Sequence, residues 1–145
     1  MKKLTLLAMT FVLTMGMAIA GGERPIKVNQ LPQTAQKFLT TYWKDVKVTY
    51  AKMEKEGLEV IYDVYLDNKV QIEFNKKGEW TKIKSTVVPI PEGIIMPQIT
   101  DYVDNNFPEC HIVKIKKKLM HYEVELNNDI ELKFNNKGEF KKVDY

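Results

Sequence analysis

Tyr62-Asp-Val-Tyr-Leu-Asp-Asn-Lys-Val-Gln-Ile-Glu-Phe-Asn-Lys-Lys-Gly-Glu-Trp80 returns sixty positions later, without a gap, as Tyr122-Glu-Val-Glu-Leu-Asn-Asn-Asp-Ile-Glu-Leu-Lys-Phe-Asn-Asn-Lys-Gly-Glu-Phe140. Tyr, Val, Leu, Asn, Phe, Asn, Lys, Gly and Glu recur as identities. Such self-similarity is read before any local signal, because it sets the architecture. Within each copy the apolar positions alternate. Tyr62, Val64, Leu66, Val70, Ile72 and Phe74 form one face, matched by Tyr122, Val124, Leu126, Ile130, Leu132 and Phe134. Alternation with period two predicts strands with one dry and one wet face. Asn75-Lys-Lys-Gly78 and Asn135-Asn-Lys-Gly138 read as tight turns, with Asn at the start and Gly in the left-handed position.

Working outward, each copy is preceded by a helical stripe. Leu31-Pro32 opens the first, and Ala35, Phe38, Leu39, Tyr42 and Trp43 follow at helical spacing. Ile90-Pro91 reads as the second opening, with Ile95, Ile99, Tyr102 and Val103 as the stripe and Asn106-Phe107-Pro108 as its end. Pro97 then has to lie in the first turn. Val46, Val48 and Tyr50 begin the first strand, which turns at Lys55-Glu56-Gly57; the corresponding later hairpin turns near Lys116-Lys117-Lys118. The expected fold is α+β: a tandem repeat of two units, each one helix packed on a four-stranded antiparallel sheet. The boundaries fall at residues 21–84 and 85–145, joined by an ordered, proline-bearing connector from Ser85 to Pro97.

Residues 1–20 read as a secretory signal peptide. Lys2 and Lys3 precede the apolar run Leu4–Ile19, and Ala18-Ile19-Ala20 has the small-x-small cleavage pattern. An anchor that stays uncleaved is the alternative. With the leader removed, no stable membrane insertion is expected, and the location is periplasmic or secreted. The leader carries two lysines and no acids, so the formal charge of +3 falls to +1 once it is gone. A balance that close leaves no electrostatic footprint for nucleic acid. Cys110 is the sole cysteine, which rules out an internal disulfide and leaves burial to stabilise the fold.

The arrangement resembles the PepSY-like proteins of the Bacteroidetes periplasm, relatives in fold of the secreted β-lactamase inhibitor proteins. The carriers are the signal peptide, Leu31-Pro32 and Ile90-Pro91, the Asn106-Phe107-Pro108 exit, and the twin hairpins Phe74–Trp80 and Phe134–Phe140. The resemblance implies two helix-plus-four-strand units whose sheets align and present a concave face to a protein partner. It transfers no inhibitory residue, because none of the local motifs here matches one.

Catalysis is not expected. The only histidines are His111 and His121, and Cys110 beside His111 is no nucleophile–base pair, since strand neighbours point to opposite faces. No cofactor fingerprint occurs, and neither Asp67-Asn68 nor Asp101, Asp104 and Asn105 follows a calcium-loop pattern. No metal site is expected. The carboxylates Asp63, Glu73, Glu123, Glu125 and Glu131 alternate with core residues and read as solubilising. The lysines at 114 and 116–118 fit contact with anionic lipid or polysaccharide, or the guarding of a strand edge. The candidate partner-binding residues are Tyr65, Trp80, His121, Glu123 and Glu125, placed on or beside the wet face, where half-exposed aromatics anchor interfaces. The reading is a non-enzymatic binding or inhibitor-like module engaging a protein or peptide in the cell envelope. The alternative is a small-ligand carrier or sensor, with an apolar site between helix and sheet or between the repeats.

Overall fold

A computed structural model of the chain describes residues 22–144; the leader expected at residues 1–20 lies outside them. Nine strands and two α-helices follow in the order β1 (Glu23–Pro25), α1 (Gln33–Tyr42), β2 (Val48–Glu56), β3 (Glu59–Leu66), β4 (Gln71–Asn75), β5 (Trp80–Lys84), α2 (Pro97–Asn106), β6 (Ile112–Lys117), β7 (His121–Leu126), β8 (Glu131–Asn135) and β9 (Phe140–Asp144). All nine strands form one antiparallel sheet whose spatial order is the chain order.

This overturns the expectation of two tandem units. The outer edge of β5 does not end a sheet. It bonds to β6, with Lys82, Ile83 and Lys84 opposite Lys116, Ile115 and Lys114. Two four-stranded sheets side by side would each leave a row of backbone donors and acceptors unpaired at their common boundary; joining them satisfies both rows. A ninth strand, β1, pairs with β2. The molecule is mostly β, and its two helices share one core. Ile83 and Ile115 face each other across the junction and are fully buried in that core.

Each helix forms because its apolar positions fall on one side. In α1, Ala35 and Leu39 are buried, and Trp43 follows at the C-cap, its N–H bonded to Leu39 O at 2.8 Å. Phe38 meets Phe74 edge-on, centroids 5.7 Å apart. In α2, Ile99 and Val103 are buried, and Tyr102 stacks on Phe140 at 4.4 Å. The second helix starts at Pro97, not at Ile90-Pro91. Pro97 takes the first helical position, where its missing N–H is no loss. Gly93 upstream, at φ 89°, holds a backbone no helix continues through.

The two Asn-to-Gly turns form as read. Asn75 Oδ1 accepts from the Lys77 and Glu79 amides at 2.9 and 3.0 Å, and Asn135 Oδ1 from those of Lys137 and Glu139 at 3.0 and 2.9 Å. Gly78 and Gly138 both sit at φ 80°. Gly78 lies against the first turn of α1 and Gly138 against that of α2, so both helices begin at the same end of the sheet. With α1 and α2 on one face, the other face is left open.

Candidate functional site

The register aligns the outward side chains of the open face in two rows that run across the strands. Lys52, Asp63, Glu73, Lys82, Lys116, Glu123, Lys133 and Lys142 form one row, each opposite the next. Tyr50, Tyr65, Gln71, Lys84, Lys114, Glu125, Glu131 and Asp144 form the other.

Ion pairs run along these rows. Lys52 reaches Glu23 and Glu54 at 2.8 and 2.9 Å and Asp63 at 3.7 Å. Lys82 pairs with Glu73 at 2.8 Å, Lys114 pairs with Glu125, and His121 Nε2 meets Glu123 Oε1 at 2.9 Å. Partly exposed pairs of this kind contribute roughly 0–1 kcal/mol each. They fix the pattern of charge more than they stabilise the fold. The hydrogen bonds that Lys52 donates to Glu23 and Glu54 raise its pKa above the ordinary lysine range, and the His121 contact holds Glu123 below the usual carboxylate range. Asp63 moves the opposite way: burial, then the adjacent Glu73, pushes its carboxyl up. Burial, followed by the Asp63 charge, also raises the Tyr65 phenol.

The β5–β6 junction differs from the rest. Lys82 opposes Lys116 and Lys84 opposes Lys114, so four lysines meet at mid-sheet. Like charges directly opposed across strands are unfavourable. Lys82 and Lys114 pair with acids outside the junction; Lys84 and Lys116 make no direct ion pair among the described residues, though Lys116 stands opposite Glu123. On one side of this basic strip lies an aromatic pair, Tyr50 and Tyr65, with centroids 5.8 Å apart. Gln71 donates to the Tyr65 hydroxyl at 3.2 Å and to Asp63 Oδ1 at 3.3 Å, which ties the pair to the first row.

Of the five residues singled out from sequence, Tyr65, Glu123 and Glu125 project from these rows, and His121 bonds Glu123 at the start of β7. Trp80 does not join them. It stands opposite Phe74 on the helix-covered side, packed on the core under Lys117, whose Nζ lies 5.8 Å from the ring centroid. A bulge between Glu73 and Phe74 sets that facing, which simple alternation does not determine. Lys84 and Tyr50 were not among the contact residues expected from sequence, and Lys116 was read only as a contact for anionic lipid or polysaccharide or as an edge guard. The period-two spacing of Lys82, Lys84, Lys114 and Lys116 was their one visible sign. Nor do the lysines of β6 guard an edge, because β6 lies inside the sheet. Cys110 and His111 part company: Cys110 packs against the core and His111 is exposed. Among the described residues no cluster of three or more His, Cys, Asp or Glu is arranged to hold a metal ion, and no helix is long and apolar enough to cross a membrane.

Residues 60–142 match the sequence family described as "Putative beta-lactamase-inhibitor-like, PepSY-like". No curated protein matches the chain. Three solved structures from Bacteroides superpose on it, each with a TM-score of 0.81. A "putative periplasmic protein from DUF2874 family" of Bacteroides vulgatus is 39% identical, the alignment covering 87% of this chain and 99% of the other. A "putative calcium-regulated periplasmic protein" of Bacteroides thetaiotaomicron is 38% identical, covering 85% and 97%. A second Bacteroides vulgatus protein, described as "a putative periplasmic protein of unknown function", is 32% identical, covering 86% and 100%. A family match over more than half the sequence, with nearly end-to-end overlap of these structures, makes the chain a member of the PepSY-like family and a periplasmic protein.

Proposed function

We propose that the chain is a non-enzymatic binding module whose open sheet face engages an acidic stretch of a periplasmic protein or peptide. The carrying observation is the two pairs of opposed lysines at the β5–β6 junction, where Lys84 and Lys116 make no direct ion pair among the described residues, near the Tyr50–Tyr65 pair. Folding gains nothing from this crowding, whereas a ligand carboxylate placed between the rows neutralises it. Tyr65 and Tyr50 supply the half-exposed aromatic surface that anchors such contacts. The inhibitor-like description of the family supports a binding reading.

Affinity capture from an envelope extract tests it. With the chain from residue 21 as bait, Lys84→Glu/Lys116→Glu should lower recovery of the bound partner about tenfold or more. Both side chains lie at the surface, so Tm should hold within about 2 °C. Undiminished recovery would exclude the junction as the contact.

A second reading rests on a cavity of 770 Å³ between the connector, α2 and the start of β6, lined by Ile90, Ile95, Met96, Val103, Cys110 and Ile112 among others. It suits a small apolar ligand. A fluorescent apolar probe should then raise Tm in the wild type and fail to do so in Ile90→Trp. No shift in the wild type removes this reading.

A further inference from the structure

In an up-and-down sheet alternate turns lie at the same end. The β2–β3, β4–β5, β6–β7 and β8–β9 turns therefore share one edge. Two of them end in bare apolar side chains. Leu58 at the β2–β3 tip is 96% exposed, and Leu119 and Met120 at the β6–β7 tip are 93% and 67% exposed. Leu58 and Leu119 border the same 540 Å³ cleft, with Lys76, Lys82, Lys116 and Lys118 around it.

Neither tip needs these residues for its backbone. The first turn is set by Gly57 at φ 61°, and the second closes through the Lys118 amide donating to His121 O at 2.9 Å. Leu and Met are not turn formers; Gly, Asn and Asp are, and the other two turns of this edge use them. The degree of exposure is informative as well. A side chain that walls a groove is shaded by the opposite wall, whereas one that is nearly fully exposed projects outward. Such a pair of projections suits a yielding apolar medium better than a shaped peptide.

The charge agrees. Lys55, Lys76, Lys77, Lys117, Lys118 and Lys137 are exposed along this edge. Four glutamates also lie there, at 56, 59, 79 and 139, and the Asn75 and Asn135 amides hold the last two. The balance is basic. The opposite end turns instead through Asp67-Asn68-Lys69 and Asn127-Asn128-Asp129. Apolar tips ringed by lysine are the arrangement that seats in an anionic bilayer surface: the apolar groups enter the acyl boundary and the ammonium groups stay among the phosphates.

We propose that this edge is an interfacial docking surface for an anionic phospholipid bilayer, seated through Leu58, Leu119 and Met120. The seating residues Leu58, Leu119 and Met120 lie outside the open-face rows, although the cleft shares Lys82 and Lys116 with them, so substitutions at the leucines test this surface separately from the partner reading.

The test is sedimentation of the chain from residue 21, which holds every described element, with phosphatidylglycerol vesicles at physiological salt, using phosphatidylcholine vesicles as control. Binding should require the anionic lipid. Leu58→Glu/Leu119→Glu should lower affinity about a hundredfold, as expected from withdrawing two buried leucyl groups. Unchanged melting of that variant shows the fold is intact. Leu119→Trp should bind like wild type, with its emission shifted to the blue on vesicles. The proposal is overturned by absence of binding to anionic vesicles, or by binding that survives the two Glu substitutions and is therefore adsorption of lysines alone. Capture of an acidic polyglutamate peptide by this edge in place of vesicles overturns it too.

Discussion

Asp63 is the most deeply covered acid of the open face, 5% exposed although it stands on the side without helices. Alternation in the sequence places it on that face correctly. Its burial comes from Lys52, Gln71 and Tyr65, which lie over it from its own and two neighbouring strands, and no local pattern reveals neighbours of that kind. Burial, with Glu73 alongside, raises its folded pKa. A raised acid pKa stabilises the native state only below the unfolded value, and that contribution is lost as pH rises through the folded one. At neutral pH the ionised Asp63 is thus a net cost. Asp63→Asn should raise Tm by about 2–5 °C at pH 7. The gain should vanish below about pH 4, where the wild-type carboxyl is protonated. Melting curves across that range check both. A lower Tm at pH 7 would show that attraction to Lys52 outweighs burial. Lys52 keeps Glu23 and Glu54 in either case.

Among the elements, the β4–β5 turn shows how local chemistry meets packing. The Asn-to-Gly pattern was legible because the side chain and backbone that make the turn are adjacent in the chain. What the sequence did not show is that α1 rests on that turn. A methyl group on Gly78 would stand 2.8 Å from the Ala35 nitrogen and the Pro32 Cβ, in addition to the strain of φ 80°. At Gly57, with φ 61°, nothing lies within 4 Å. Gly57→Ala should cost about 1 kcal/mol, from backbone strain alone. Gly78→Ala should cost roughly 2–4 kcal/mol, since the helix start has to shift. Chemical denaturation separates the two, and equal losses would mean that the contact with α1 is slack. The misread start of α2 has a similarly local cause: Ile90-Pro91 and Met96-Pro97 look alike in sequence, and only the backbone at Gly93 separates them. Strand β1 went unread because its three residues are too few to show alternation.

For the molecule as a whole, the decisive pairing is β5 with β6. The two strands were expected from sequence, but their facing sides were not assigned. Their union was not legible, because twenty-seven residues and a helix separate Lys84 from Ile112 and pairing leaves no mark on either strand alone. The consequence is one core across the junction, with Ile83 and Ile115 at its centre. Unfolding should be a single transition, with calorimetric and van't Hoff enthalpies equal. Ile115→Ala should cost about 2–5 kcal/mol and lower hydrogen-exchange protection in β2–β5 and β6–β9 together. Two separated transitions would show that the halves hold themselves up. The identity of spatial and chain order also bears on biogenesis. A polypeptide threaded across a membrane N-terminus first brings each strand out after the one it will lie against, apart from two waits while the α1 and α2 segments emerge. Every new strand meets a template already in place, so assembly proceeds by accretion with short loop closures, the condition under which sheets form quickly and expose sticky surfaces briefly.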